Sequence, residues 1–189
     1  MTTKITQKQM QKQKSRQAIL KSASKLFRKN GYSTTGIDAI VTEAGLTAGA
    51  FYAHFNSKQS LLQEIILKNI NENTDVVGSE KISAFLDLYL SSKHRDHAQE
   101  GCVIAALGTE AQRLPKVVRK TLMAKVKAMS GRIAGKSQPS EVDLFLASTA
   151  IGCLLISRLM DDKIESDRFL AVAKKKLKAM SSEIINKTP

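Results

Sequence analysis

The sequence predicts an all-α protein, and three observations predict it. Apolar residues recur at helical spacing along the whole chain. No segment alternates apolar and polar residues for the length of a strand. Only Pro115 and Pro139 interrupt the chain before the terminal Pro189.

Taken in order, Ile19, Leu20, Ala23, Leu26 and Phe27 form an i, i+1, i+4, i+7, i+8 stripe that Asn30-Gly31 closes. Thr34 or Thr35 is placed to cap a short second helix with Ile37, Ile40, Val41 and Ala44 inward, and Gly45 ends it. Thr47 caps a third helix over residues 48–54. Ser57 caps a fourth, with Leu61, Leu62, Ile65 and Ile66 apolar, which runs to about Asn73 before a break at Val76–Ser79.

Longer helices follow. Residues 80–93 put Ile82, Phe85, Leu86, Tyr89 and Leu90 on one face, and Lys93–Gly101 reads as a polar loop. A helix over 102–113 comes next. Pro115 then opens another that carries Val118, Leu122, Val126 and Met129 and frays around Gly131–Ser137. Pro139-Ser140-Glu141 starts an apolar helix reaching about Met160. The last helix, about Ser166 to Asn186, turns Phe169, Leu170, Ala173, Leu177, Met180 and Ile184 inward.

With 189 residues, 42% of them hydrophobic and 25% charged, the chain has the length and composition for one cored domain or two small ones. It holds no apolar run of 18 residues, and its polar, basic N-terminus is no secretory signal, so a cytoplasmic location is expected. The net charge of +13 points to a polyanion, nucleic acid before an anionic membrane. Position sharpens this: residues 1–60 hold ten Lys and Arg against two acids, the remainder twenty against fifteen. Lys4, Lys8, Lys12 and Arg16 are spaced by four and make one basic stripe if helical. A solvated tail is the alternative for this arm, residues 1–15.

The most informative stretch is Thr34 to Leu62. Its two short helices meet at Ala44-Gly45-Leu46, where a small residue, a left-handed turn and an apolar plug fall in succession. That is a helix-turn-helix, whose second helix stands out far enough to enter a major groove about 12 Å wide. Ala48, Gly49, Ala50 and Ala53 let its backbone come close to DNA, while Thr47, Tyr52 and His54 supply hydrogen-bonding groups.

The run AGLTAGAFYAHFNSKQSLL, residues 44–62, resembles the signature of the TetR family of bacterial transcriptional regulators. Phe27, Gly31-Tyr32 and Thr34-Thr35 fit the same pattern, with mild departures at Val41 and Gly36. The resemblance implies a DNA-binding domain over residues 16–62 and an effector-binding, dimerising domain over 63–189. It further implies a homodimer on a palindromic double-stranded operator, acting as a repressor released by a small-molecule effector, with no cofactor and no membrane.

Carried over by position, Thr35 and Lys58 resemble phosphate contacts, and Thr47, Tyr52 and His54 a mixture of phosphate and base-edge contacts. Ala48, Gly49, Ala50 and Ala53 would face the groove with methyls or nothing, leaving specificity to few hydrogen bonds and to DNA shape. Face and position suggest Phe85, Tyr89, Leu107, Glu110, Leu122 and Ile151 for the effector pocket. Glu110 would there pair with a cationic ligand; the alternative is a glutamate that is solvent-exposed or paired with Arg113. Leu144–Met160, apolar on several sides, is expected to serve both its own core and a second subunit.

Other signals read blandly. Ser130 to Ser137 nearly spells a phosphate loop but lacks the preceding strand, so it is read as an interhelical turn. His94, Asp96 and His97 read as a surface loop, not a metal site. Cys102 and Cys153 read as small buried residues, with a redox switch at Cys102 as the alternative. An enzyme in the C-terminal region is the rival reading from another class, and a peripheral membrane binder using the basic arm is a third.

Overall fold

The computed structural model describes residues 6–71, 79–134 and 138–186. Lys4, the break at Val76–Gly78, the Gly135–Ser137 end of the near-phosphate loop and the Ile184 side chain lie outside what it describes. Among the described residues there is no strand, and no helix is long and apolar enough to cross a membrane.

Helix α1, Gln7–Asn30, begins earlier than its apolar stripe predicts, because Thr6 and Gln9 form a reciprocal capping box. The expected separate arm is therefore helical from Gln7 onward. Ile19, Leu20, Ala23 and Phe27 are buried. The helix stops at Gly31, whose φ of +89° favours a residue without a Cβ.

Helices α2, Ile37–Glu43, and α3, Ala48–Tyr52, follow. Neither Thr34 nor Thr35 caps α2. Both hydroxyls turn back and donate to the end of α1, to Asn30 O and Gly31 O, and Gly36 takes the N-cap position with no side-chain bond. Gly45, at φ +66°, makes the sharp turn between the two helices. Thr47 accepts from Ala50 N at 3.4 Å, and Ser57 accepts from Ser60 N at 3.0 Å to open α4, Lys58–Asn71.

The later helices are α5 (Ser79–Tyr89), α6 (Ser92–Asp96), α7 (Val103–Leu107), α8 (Lys116–Ala134), α9 (Glu141–Ser157) and α10 (Lys163–Asn186). The stretch expected as a loop after Lys93 is thus partly helical. Ser91 caps α6, and the buried Arg95 bonds Asp96, Ser166 and Asp167 at 2.7–2.9 Å, tying α6 to α10. The helix expected over 102–113 ends at Leu107 and continues as a tight 3-10 stretch, Gly108–Arg113. Ser130–Ala134, expected in a turn, belongs to α8, and the Ser130 hydroxyl donates to Val126 O. Helix α9 stops three residues short of Met160; the Ser157 carbonyl is taken by the Ser166 hydroxyl instead of a further turn. Asp162 receives Ile164 N–H at 2.7 Å, so α10 starts ahead of Ser166.

Two apolar cores result. The first joins α1–α4 to Val103, Ile104 and Leu107 of α7, Leu114, and Val118 and Leu122 of α8. The second gathers α5, Ala105, Met129 and the inner faces of α9 and α10. Cys102 and Ile151 touch both. The first core thus joins the DNA-binding helices to the C-terminal ones, with α7 packed against α1 and α8 against α4.

Candidate nucleic-acid interface

Helix α3 is anchored from beneath by Phe51, fully buried, whose ring lies 5.8 Å from that of Phe55. Burying such a ring contributes about 2–3 kcal/mol, which offsets the poor intrinsic stability of a five-residue helix. With Phe51 pointing inward, helical geometry turns Thr47, Ala48, Gly49, Tyr52 and Ala53 outward, and all five are exposed. Ala50 and His54 are half-buried. Tyr52 is 61% exposed and packs edge-on against Phe51 at 5.3 Å, so its hydroxyl points away from the core.

Other predicted contacts are committed elsewhere. Thr35 is 2% exposed and its hydroxyl donates to Gly31 O at 2.6 Å, so its side chain holds the α1–α2 loop. His54 Nε2 lies 2.7 Å from Ser15 Oγ. Burial, helped by Lys12 and Arg16, pushes the His54 pKa down and favours the neutral ring. Lys58 Nζ donates to the carbonyls of Tyr32 and Thr35, both at 2.9 Å, and sits 4.4 Å from the centre of the Tyr32 ring. An ammonium has three donors, so one remains for a phosphate.

Of the basic stripe, Arg16 pairs with Glu64 at 2.6 Å and stacks over Phe55 at 5.0 Å, whereas Lys8 and Lys12, with Lys14, stay exposed on the first turns of α1. The result is a small uncharged helix flanked by lysines, which is the surface a groove and its phosphates fit.

The six predicted effector residues are divided between the two cores and the surface beside them. Leu107 and Leu122 lie in the first core, Phe85 and Tyr89 in the second, and Ile151 between them. Glu110 is outside both: its two oxygens accept Tyr32 N–H at 2.8 Å and Ser33 N–H at 2.9 Å. Burial raises its pKa, but Ser33, the Tyr32 N–H and Arg113 outweigh that and hold the carboxyl below its ordinary value. Among the described residues the Tyr89 hydroxyl is buried with no hydrogen-bond partner, and burial first, then the Cys102 thiol, push its pKa up while Arg158 opposes them. A cavity of about 500 Å³ opens instead between α1, α4 and residues 98–100, lined by Lys21, Ser24, Arg28, Gln99 and Glu100 among others.

His94 is structural. Its Nε2 accepts Cys102 N–H at 2.9 Å, which leaves Nδ1 protonated to donate to Tyr89 O at 2.8 Å. Cys102 and Cys153 are half-buried rather than buried. Sequence reasoning missed Ser15, Tyr32, Ser33 and Glu64; their partners lie 39 to 78 residues away, and no local pattern signals such pairs.

Known proteins share this arrangement. The family described as bacterial regulatory proteins, tetR family, matches residues 19–65, and the tetracyclin repressor-like C-terminal domain matches residues 78–173. The chain is 25% identical over 169 residues to the uncharacterized HTH-type transcriptional regulator YxaF of Bacillus subtilis, covering 79% of this chain and 87% of that one. It is also 25% identical over 162 residues to the HTH-type transcriptional regulator UidR of Escherichia coli, covering 82% and 80%. In fold it resembles the reduced form of E. coli NemR, with a TM-score of 0.67 at 15% identity over 85% of this chain and 96% of that one. Both sequence relatives are HTH-type transcriptional regulators. The chain belongs to the TetR family of bacterial regulatory proteins, DNA-binding helix-turn-helix regulators of transcription.

Proposed function

We propose that the chain is a homodimeric repressor that inserts α3 into successive major grooves of a palindromic operator and leaves it when a small molecule binds the C-terminal helices. The observation that carries this is the exposed α3 face, small residues plus Tyr52, standing between exposed lysines and an ammonium with a spare donor. Tyr52 and Thr47 supply hydrogen bonds there. Ala48, Gly49, Ala50 and Ala53 admit the backbone, and His54 braces the helix from behind. Thr35 acts through the loop it holds, and Lys58 reaches phosphate from that loop's edge.

Dimerisation rests on α9 and α10. Phe145 (56% exposed), Leu159 (76%) and Ile164 (65%) are apolar and open, and Val142, Ile156 and Val172 are exposed beside them. On α9, Val142, Phe145, Thr149, Gly152 and Ile156 recur at three- and four-residue steps, a seam for the same two helices of a second copy. The two-fold axis this creates matches a palindrome, one half-site per α3.

In this reading the effector enters the second core. Phe85 and Tyr89 stack at 5.2 Å there, and the unpartnered Tyr89 hydroxyl is a donor that a polar ligand would satisfy. Footprinting with the purified protein tests the reading. Two symmetric protected half-sites about one helical turn apart support it, and uniform protection counts against it.

A further inference from the structure

The 108–113 stretch reaches the loop after α1 through the Glu110 side chain. Glu110 Oε1 accepts Tyr32 N–H at 2.8 Å and Oε2 accepts Ser33 N–H at 2.9 Å. One carboxylate holding two successive main-chain N–H groups is a charge-assisted grip, stronger than a neutral pair of bonds. The chain is shaped around it: a Cβ on Gly31, the residue before, would overlap Glu110 Oε1.

The same loop is held from its other side by α4. Tyr32 divides its main-chain groups between the two holders, its N–H going to Glu110 and its carbonyl to Lys58 Nζ at 2.9 Å. Lys58 also takes Thr35 O at 2.9 Å, immediately before α2. An anion from the C-terminal region and a cation beside the DNA surface thus clamp one peptide unit; burial lowers the Lys58 pKa and the Glu110 charge opposes that. Glu110 sits one turn beyond α7, and α7 is packed against α1, in the core shared by α1–α4, by Val103, Ile104 and Leu107. At the start of α7, Cys102 touches the second core as well.

We infer that Glu110 is a positioning residue for DNA binding: it fixes the Tyr32–Thr35 loop so that Lys58 and α2 hold α3 in register, and it passes movement of α7 to the DNA-binding helices. The inference rests on the DNA-binding reading and adds the route by which the C-terminal helices govern it. Glu110 is a strut between two parts of the chain and not an effector ligand.

The test uses the full-length protein and a duplex that the wild type selects from randomised DNA. Affinity is measured for the wild type, Glu110→Ala, Glu110→Gln, Lys58→Met and the Glu110→Ala/Lys58→Met double variant, with amide exchange followed at Tyr32 and Ser33. Glu110→Ala is expected to bind about tenfold more weakly, with faster exchange at both amides. The double variant should be no more than about twofold weaker than Lys58→Met alone, because both residues act on one loop. Glu110→Gln keeps the volume and one acceptor, so it guards against a folding defect, and its loss should be intermediate. Binding by Glu110→Ala or Glu110→Gln within about twofold of the wild type overturns the inference, as do losses that simply multiply in the double variant. A wild type that selects no duplex overturns the DNA-binding reading and this inference with it.

Discussion

His54 Nε2 and Ser15 Oγ lie 2.7 Å apart, so the residue just beyond α3 is fastened to α1. Orientation of a five-residue helix depends on such ties, because its own hydrogen bonds are too few to stiffen it. Phe51 fixes its depth, Thr47 its start and the Ser15–His54 bond its far end.

Burial, then Lys12 and Arg16, keep the His54 pKa below the ordinary 6.5. The folded state therefore binds fewer protons than the unfolded state in the window below that value. Its stabilising effect is complete above about pH 6.5 and is lost as pH falls through the folded pKa. His94 is displaced in the same direction, first by burial, so the contribution of His54 must be read by difference. Thermal unfolding of the wild type should weaken more between pH 7 and pH 5 than that of His54→Gln. Parallel curves would show that the tie is insensitive to protonation.

Lys58 bridges two carbonyls and keeps one donor for DNA. Lys58→Met is expected to lower stability by about 1 kcal/mol through the loosened loop. It should also make the slope of log affinity against log salt shallower by about 0.9, the share of one phosphate. Unfolding in urea and salt titrations of DNA binding measure the two effects separately. An unchanged slope would leave Lys58 a purely structural residue.

Tyr52→Phe keeps the 5.3 Å ring pair with Phe51 and removes only the outward hydroxyl. Stability should stay within about 0.5 kcal/mol of the wild type, while affinity for the selected duplex falls by about 1 kcal/mol or more. Equal affinity would assign Tyr52 to shape alone.

Phe145→Arg places a charge in the exposed apolar seam of α9, where the side chain is not part of either core. The fold should survive, and sedimentation should show a monomer at concentrations where the wild type is a dimer. Affinity for a palindrome should fall to that for a single half-site. A dimer of unchanged stability would place the interface elsewhere.

Local chemistry was legible in the sequence and long-range chemistry was not. Gly45, the caps at Thr47 and Ser57, and the inward face of α1 follow from neighbours a few residues apart, and the structure has them as expected. Thr34 and Thr35 do not cap α2, because a hydroxyl beside two helix ends can serve either, and here both serve the end of α1. The helical start of the basic arm turned on a polar capping box at Thr6 and Gln9, which leaves no apolar period to read. For Glu110, Lys58 and His54 the residue type was noticed but the partner was not. Those partners lie on other helices, and only the packed structure brings them together.

The role proposed for α3 is to read DNA sequence. Competition binding at about 0.15 M salt between the selected duplex and a scrambled duplex of equal length and composition tests it most directly. The expected result is a preference of at least about a thousandfold for the selected duplex, reduced towards unity when Tyr52 and Thr47 are both replaced by alanine. Equal affinity of the wild type for the two duplexes would contradict it, leaving only a basic surface that binds any polyanion.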